Sequence, residues 1–243
     1  MFHSVVPVGQ ASDWKWSISQ RNFFAILDLL QEQGWKTVCV RDLLKGMADS
    51  RTVVLTFDDG YADNGLAFEE LQKRGMRATW FVVSRYLGRE ADWDDSRTLS
   101  RPLLSVSDLK EMAGAGMEIG SHSCTHPRLT SLEPDRAYRE VADSKVELEQ
   151  MLSREVVSFA YPYGEFNKRV RDLVNDAGYS AACTSRTGWA LRDNDPLQIR
   201  RLTVYSADSV SSLARKLAFA DNNVGWATMF RYTARRLGSR VGL

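Results

Sequence analysis

The sequence has few of the residues that cross-link small proteins or build compact metal modules. Among its 243 residues there are only three cysteines, Cys39, Cys124 and Cys183, at unrelated spacings. An odd number of cysteines without a repeated spacing argues against a disulfide framework and against a cysteine-based zinc knuckle. We therefore expect reduced thiols in a reducing compartment.

A strong net charge and long apolar runs are lacking as well. The formal net charge is +1, so the composition does not indicate nucleic acid as a partner. The sequence shows no signal peptide, and no apolar run is long enough to span a membrane. We therefore expect a cytoplasmic protein. A hydrophobic content of 44% predicts a globular fold with a sizeable core.

Strand-like and helix-like segments alternate along most of the chain. Seven or eight such units predict an α/β fold, and their number favours a closed or nearly closed parallel barrel over a doubly wound sheet. We expect one domain over residues 1–243, with its core at about 1–205. The predicted strands are 3–8, 37–40, 52–57, 78–83, 117–120, 156–160, 180–183 and 198–204. The predicted helices are 19–33, 62–74, 107–115, 135–152, 166–177, 209–219 and 224–238.

The last predicted helix, 224–238, has an apolar stripe with a basic border. Trp226 and Phe230 lie on the stripe, and Arg231 and Arg235 flank it. One interpretation is weak contact with an anionic membrane surface or a lipid-diphosphate-linked sugar. The other, which we favour, is a final barrel helix whose basic rim faces solvent.

An adjacent acidic pair, Asp58 and Asp59, follows the apolar run 52–57 and precedes Gly60. Parallel-barrel enzymes place reactive groups at the carboxyl ends of their strands. Two neighbouring carboxylates repel each other, so we expect a cation or a basic group to compensate them. The alternative is a simple Asp-Asp-Gly turn in which both side chains accept hydrogen bonds from backbone amides.

Histidine is equally scarce, since the chain has only three. Two of them, His122 and His126, lie four residues apart after the predicted strand 117–120. We expect a strand-end loop and a short helical turn, on which these side chains share a face and converge on one ion. One carboxylate and two imidazoles make a metal site with open coordination positions. The alternative is a pair of surface histidines near a loop.

Three segments together resemble the motifs of the polysaccharide deacetylase family, also known as carbohydrate esterase family four and similar to the nodulation deacetylases. They are Thr56–Gly60 (TFDDG), Glu118–His126 (EIGSHSCTH) and Phe159–Gly164 (FAYPYG). The resemblance implies a single-domain, distorted (β/α)7 barrel similar to a TIM barrel. It also implies one divalent metal ion, most often Zn²⁺ with Co²⁺, Ni²⁺ or Mn²⁺ as alternatives, and removal of the N-acetyl group from an amino sugar.

The resemblance also implies a role for individual residues at the motif positions. Asp59, His122 and His126 would bind the metal ion. Asp58 would be the general base that takes a proton from the attacking water. The family places an oxyanion-stabilising backbone N–H in the third motif, here at Tyr163.

The chain departs from the family pattern in two ways. Much of the family has a base-orienting arginine where this chain has Ala160, and we expect Arg201 to replace it; the alternative is a surface salt bridge. Many relatives supply a late catalytic histidine, but no histidine follows His126. His3 could lie beside the last strand of a closed barrel and protonate the leaving amine. The alternative is a buried structural histidine.

The sequence thus predicts a metal-dependent hydrolase that removes the N-acetyl group from an acetylated amino sugar in a polysaccharide, an oligosaccharide or a glycolipid precursor. The loop 84–104 with Trp93, and the ring of Tyr163, are candidates for shaping the sugar site. Two rivals remain: an amidase that acts on a small non-sugar amide, and a non-catalytic glycan-binding relative. The sequence does not indicate an oligomeric state.

Overall fold

The computed structural model describes residues 1–10, 14–93 and 101–225. Strands and helices alternate within these residues. The strands are β1 (Ser4–Val6), β2 (Ser17–Ser19), β3 (Lys36–Val38), β4 (Thr52–Val54), β5 (Thr56–Phe57), β6 (Thr79–Val82), β7 (Glu118–Ser121), β8 (Ser158–Ala160) and β9 (Ala181–Cys183). The α-helices are α1 (Gln20–Glu32), α2 (Val40–Leu43), α3 (Asn64–Lys73), α4 (Val106–Gly114), α5 (Pro134–Leu152), α6 (Lys168–Asp176) and α7 (Val210–Phe219).

The centre of the fold is a parallel sheet in the order β5-β6-β7-β8-β9. Neighbouring strands run in register, with Trp80 opposite Ile119 and Phe159 opposite Ala182. These five strands are buried along their whole length, as is typical of parallel sheets that are covered by helices. The predicted α/β class is therefore confirmed.

Two extended segments join the free edges of this sheet and make it a distorted barrel. Residues 1–3 form a parallel bridge with β5, and residues 199–204 form one with β9. The two segments meet where the Val204 N–H donates a 3.0 Å hydrogen bond to the Met1 carbonyl. The carboxyl ends of the strands therefore face one shared opening, where barrel enzymes carry their active sites.

The prediction of a regular strand over 198–204 is wrong. Residues 196–198 form a 3₁₀ turn, and within 198–204 only Ile199 forms a strand-like bridge among the described residues. The N–H groups of Arg200 and Arg201 donate instead to carbonyl groups in the loop after β9. The segment is extended, and the Ile199 N–H donates to Ala182 in β9, but the N–H groups of Arg200 and Arg201 that would continue this pairing are used by the loop.

The run 52–57, predicted as one strand, is divided at Leu55. β4 pairs with β3 in a separate two-stranded sheet, whereas β5 pairs with β6. The chain therefore leaves one sheet and enters the other at this residue. The predicted strand 37–40 also ends early, because α2 begins at Val40.

The two ends of the chain also differ from the sequence prediction. β1 is shorter than the predicted strand 3–8 and pairs with β2, which was not predicted. The predicted helix 209–219 is confirmed as α7. The predicted helix 224–238 extends beyond the described residues, so its proposed membrane contact stays a prediction. No α-helix among the described residues is long and apolar enough to cross a membrane.

Aromatic rings of the core pack next to the strand that carries the acidic pair. Phe57 stacks on Trp80 with ring centroids 4.6 Å apart, and on Phe2 at 5.3 Å. All three side chains are buried. Because protein interiors are densely packed, these rings fix the direction in which β5 ends.

Candidate metal centre and active site

Asp58 and Asp59 leave the end of β5 in a tight turn. Asp59 has a left-handed backbone with φ of 71°, which is uncommon for residues other than glycine. Gly60 follows with φ of 83°, and a Cβ at this position would lie 2.9 Å from Cγ1 of Val82. The turn therefore requires glycine, and it leaves both carboxylates buried.

His122 and His126 lie on an irregular loop after β7. The predicted helical turn is wrong, because Ser123 and His126 have left-handed backbones with φ of 69° and 59°. The Ser121 hydroxyl accepts a hydrogen bond from the Ser123 N–H at 3.2 Å, and the Ser123 hydroxyl accepts one from the His126 N–H at 3.0 Å. These side-chain hydrogen bonds take the place of helical ones and shape the loop that carries both imidazoles.

The structure brings together the three side chains that the sequence suggested as metal ligands. Nε2 of His122 lies 3.4 Å from Oδ1 of Asp59, and Nε2 of His126 lies 3.3 Å from the same oxygen. The three ligand atoms lie within 4.8 Å of one another, and all three residues are buried. Two nitrogens and one oxygen in this arrangement could hold a divalent ion with open coordination positions.

The hydrogen bonding of His122 fits such a site. Its Nδ1 lies 2.7 Å from the carbonyl oxygen of Ala160, which can only accept, so Nδ1 carries a proton. In the neutral ring, Nε2 then presents a lone pair toward the Asp59 carboxylate. A cation between these electron-rich atoms would stabilise both. Histidines that bind a metal through one ring nitrogen typically donate the N–H of the other to an acceptor such as a carbonyl group.

Burial and charge act differently on the two imidazoles. Burial alone would lower the pKa of His122, but the hydrogen bond that its protonated ring donates to Asp59, with the charges of Asp58 and Asp59, raises this pKa overall. Burial lowers the pKa of His126 to about 3, although Asp59 acts in the opposite direction. His126 is therefore neutral near physiological pH, as an imidazole that binds a metal must be.

Arg201 forms a buried, two-pronged ion pair with Asp58. Its two terminal nitrogens lie 2.6 and 2.8 Å from the two carboxylate oxygens, and its Nε donates to the Thr184 carbonyl at 2.9 Å. Burial alone would raise the pKa of Asp58, but the Arg201 charge and hydrogen bonds hold it below the ordinary value. The neighbouring Arg200 turns away and pairs with Asp193. Arg201 thus gives Asp58 the cationic partner that the sequence analysis expected.

A cavity of about 280 Å³ connects these groups. It is lined by all seven residues that the sequence analysis assigned to metal binding or catalysis: His3, Asp58, Asp59, His122, His126, Tyr163 and Arg201. Nδ1 of His3 is enclosed and has no hydrogen-bond partner among the described residues. Burial lowers the pKa of His3, although Asp59 and Asp58 act to raise it. His3 is therefore neutral in the resting site.

Two aromatic side chains flank the ring of His126. The Trp93 ring lies 4.7 Å from it and the Tyr163 ring 4.6 Å, measured between centroids. The guanidinium of Arg128 lies over the Tyr163 ring at 4.2 Å. Tyr163 has a left-handed backbone with φ of 59°. Both aromatic residues singled out from the sequence thus lie at the site.

The sequence analysis missed Trp14 and Trp16, which also line the cavity. Two tryptophans separated by a single residue in a polar stretch were the signal that could have identified them. Arg128 and Glu165 line the cavity as well and form an ion pair with each other. No sequence pattern marked this pair, since the two residues lie 37 positions apart.

Gly164→Ala is expected to destabilise the protein by about 1–3 kcal/mol more than Gly34→Ala. The two glycines have closely similar left-handed backbones, with φ of 67° and 69°. A Cβ at Gly164 would lie 1.9 Å from Oγ of Ser185 and 2.9 Å from its backbone nitrogen, whereas nothing lies within 4 Å at Gly34. Urea unfolding of both variants measures the difference, and equal losses of stability would contradict the close packing of this turn.

Comparison with known proteins places the motifs in a family. Residues 45–182 match the profile of the family described as Polysaccharide deacetylase. YxkH of Bacillus subtilis (strain 168), assigned to the polysaccharide deacetylases, is 28% identical over 218 residues, which cover 87% of this chain and 72% of YxkH. PgdA of Listeria monocytogenes, named a peptidoglycan-N-acetylglucosamine deacetylase, is 26% identical over 140 residues, which cover 57% of this chain and 27% of PgdA.

A solved structure agrees with this assignment at the level of the fold. The deacetylase PplD of Streptococcus pyogenes matches with a TM-score of 0.76 and 23% identity, covering 89% of this chain and 96% of PplD. The predicted distorted barrel is thereby confirmed. The profile match spans more than half of the chain and includes the acidic pair and both histidines of the candidate metal centre. The chain belongs to the polysaccharide deacetylase family.

Proposed function

We propose that the protein is a metal-dependent hydrolase that removes the N-acetyl group from an acetylated amino sugar in a polysaccharide, an oligosaccharide or a glycolipid precursor. The observation that carries this proposal is that one cavity contains both a cluster of possible metal ligands and a separate carboxylate. One is the buried cluster of Asp59, His122 and His126. The other is the adjacent carboxylate of Asp58, which is held by Arg201 and does not belong to the cluster.

Asp59, His122 and His126 would hold the metal ion, for which Zn²⁺ is our first choice and Co²⁺, Ni²⁺ or Mn²⁺ are alternatives. Mixed nitrogen and oxygen ligands with open positions suit catalytic zinc. When bound, the ion would supply Lewis-acid chemistry, polarising the acetamide carbonyl and making water more acidic.

Asp58 would accept the proton of the attacking water. Its low pKa keeps it ionised at neutral pH, so it is ready to act as a base. The two hydrogen bonds from Arg201 bind both oxygens and fix the plane of the carboxylate. A carboxylate with a low pKa is a weak base, so this step requires water that has been made more acidic.

His3 would donate a proton to the leaving amine. It lies in the same cavity, and its enclosed Nδ1 has no competing hydrogen bond among the described residues. Because burial keeps the ring neutral, His3 must receive a proton during the reaction before it can donate one. In the proposed mechanism, the proton taken up by Asp58 meets this need. The backbone N–H of Tyr163 would stabilise the oxyanion that forms at the acetyl carbon.

The walls of the cavity support a sugar substrate. Trp14, Trp16, Trp93 and Tyr163 line it. Aromatic faces offer a large apolar surface together with a polar edge, which suits the C–H-rich faces of a pyranose ring. The relative PgdA is named a peptidoglycan-N-acetylglucosamine deacetylase, which supports the same substrate class.

The proposal is tested by acetate release from N-acetylated chito-oligosaccharides. We expect about one divalent ion per purified chain, acetate release from the sugar, loss of activity with a chelator and recovery with added Zn²⁺. Release from a small aliphatic acetamide but from no sugar would support the rival amidase. Tight glycan binding with a full complement of metal and no turnover would support a non-catalytic relative.

A further inference from the structure

The loop that carries both imidazoles is hydrogen-bonded to one residue of α5. Both carboxylate oxygens of Glu140 accept hydrogen bonds from Thr125, the residue directly before His126. The Thr125 N–H lies 2.9 Å from Oε2, and the Thr125 hydroxyl lies 2.7 Å from Oε1. The backbone carbonyl of Glu140 also accepts a hydrogen bond from the Cys124 N–H at 3.1 Å. Three groups of the loop are thus bound to a single helical residue.

The loop is also held by backbone groups of the segment after β6. The Ser84 N–H donates to the Ser123 carbonyl at 3.2 Å, and the Arg85 N–H donates to the Cys124 carbonyl at 3.1 Å. The loop is therefore bound both to this segment and to α5. Among these contacts, the Glu140 side chain binds the residue directly before His126.

Helix packing does not explain a carboxylate at this position. Glu140 is only 7% exposed and lies on the buried face of α5 with Ala137, Val141 and Leu148. Burying a carboxylate is costly unless hydrogen bonds compensate it, and an apolar side chain would fill this face without that cost. Three further acidic residues of α5 form ion pairs, namely Asp143, Glu147 and Glu149. Glu140 forms no ion pair with any of the described residues.

We propose that Glu140 is a positioning residue for the metal centre, which rests on the metal-dependent function proposed above. By holding Thr125 at two points, it sets the backbone of His126 in its left-handed conformation. It thereby directs Nε2 of His126 toward Asp59. Groups that orient metal ligands from outside the coordination shell commonly change metal affinity by 10- to 100-fold when they are removed.

The test measures Zn²⁺ affinity by competition with a chromophoric chelator, and the Co²⁺ absorption spectrum, for wild type and variants. Glu140→Ala is expected to bind Zn²⁺ about 10- to 100-fold more weakly and to change the Co²⁺ spectrum. Glu140→Gln should restore affinity close to wild type. Its amide oxygen can accept from the Thr125 N–H while its NH₂ group donates to the Thr125 hydroxyl oxygen.

Leu148→Ala is the matched control for a general weakening of α5. This side chain is fully buried on the same helix, so the variant should melt at a lower temperature but bind Zn²⁺ like wild type. Thr125→Val removes only the hydroxyl donor and should weaken binding less than Glu140→Ala. It also provides the readout if Glu140→Ala does not fold.

Three outcomes would overturn the role of Glu140, and they are distinguishable. Unchanged Zn²⁺ affinity in both Glu140→Ala and Thr125→Val would show that the loop does not need this support. Equal weakening in Leu148→Ala would show a purely structural effect. A wild-type protein that binds no Zn²⁺ at all would overturn the metal centre itself and this role with it.

Discussion

Asp58→Asn is expected to lower kcat for acetate release by about 10²- to 10⁴-fold while metal binding is retained. Asparagine keeps the shape of the side chain but cannot take a proton from water. Asp59, His122 and His126 are untouched, so the variant should still bind one ion per chain, about as tightly as wild type. Metal content by elemental analysis and single-turnover kinetics measure the two quantities separately.

The same substitution is expected to reduce stability, because it leaves the buried charge of Arg201 without its partner. Breaking a buried ion pair typically costs about 3–5 kcal/mol, so kinetics must be measured well below the melting temperature. The pKa of Asp58 is lowered in the folded protein, so the ion pair stabilises the fold above the ordinary carboxyl pKa. This contribution is lost as the pH falls through the folded-state value. The stability gap between wild type and variant should therefore narrow in acid.

Asp49→Asn is the matched control for Asp58→Asn. Asp49 is exposed, pairs with Lys36 at 3.0 Å and does not line the cavity. The Asp49→Asn substitution should leave kcat and metal content unchanged. If Asp58→Asn retained wild-type kcat, the proton acceptor would have to be another group and the assignment of Asp58 would be wrong.

His122→Ala is expected to remove both metal and activity. The remaining Asp59 and His126 would offer only two of the three ligand atoms. A catalytic ion contributes several kcal/mol to transition-state stabilisation, so activity should fall on the order of 10³-fold or more. Asp59→Ala should behave in the same way. Isothermal titration with Zn²⁺ and acetate release measure the two losses.

The two sets of variants separate the ligand cluster from the base. Metal loss in His122→Ala together with metal retention in Asp58→Asn is the pattern that the geometry requires. Full Zn²⁺ binding in His122→Ala would place the ion elsewhere. A loss of metal in Asp58→Asn would mean that Asp58 also acts as a ligand, contrary to its pairing with Arg201.

Much of the site could be predicted from sequence because local patterns mark strand ends. The buried run before Asp58 and the glycine after Asp59 indicated a turn at the edge of a parallel sheet, and the structure has that turn. The placement of Arg201 followed from a physical need, since the acidic pair required a cation. Its contact with Asp58 spans 143 residues. We expected it because Ala160 stands where much of the resembled family has a base-orienting arginine.

Other features depend on contacts that no local pattern encodes. The left-handed backbones of Ser123 and His126 are unfavourable on their own. The N–H groups of this loop donate hydrogen bonds to serine hydroxyls and to Glu140 of α5, which hold the loop in this shape. The prediction that the two imidazoles converge was therefore correct, although a loop and not a helical turn brings them together. The regular strand predicted over 198–204 does not form because the N–H groups of Arg200 and Arg201 donate to a neighbouring loop. The cytoplasmic location, the domain limits and the contact of 224–238 with a membrane stay predictions.

The seam that closes the barrel lies between the base and its cation. Asp58 and Asp59 follow β5, to which residues 1–3 are bound, whereas Arg201 lies on the segment that bridges to β9. A molecule opened between Met1 and Val204 would keep Asp59, His122 and His126 on one continuous sheet but would separate Asp58 from Arg201. Metal content alone would then overstate the fraction of competent enzyme, so active-site titration is the better measure of a preparation.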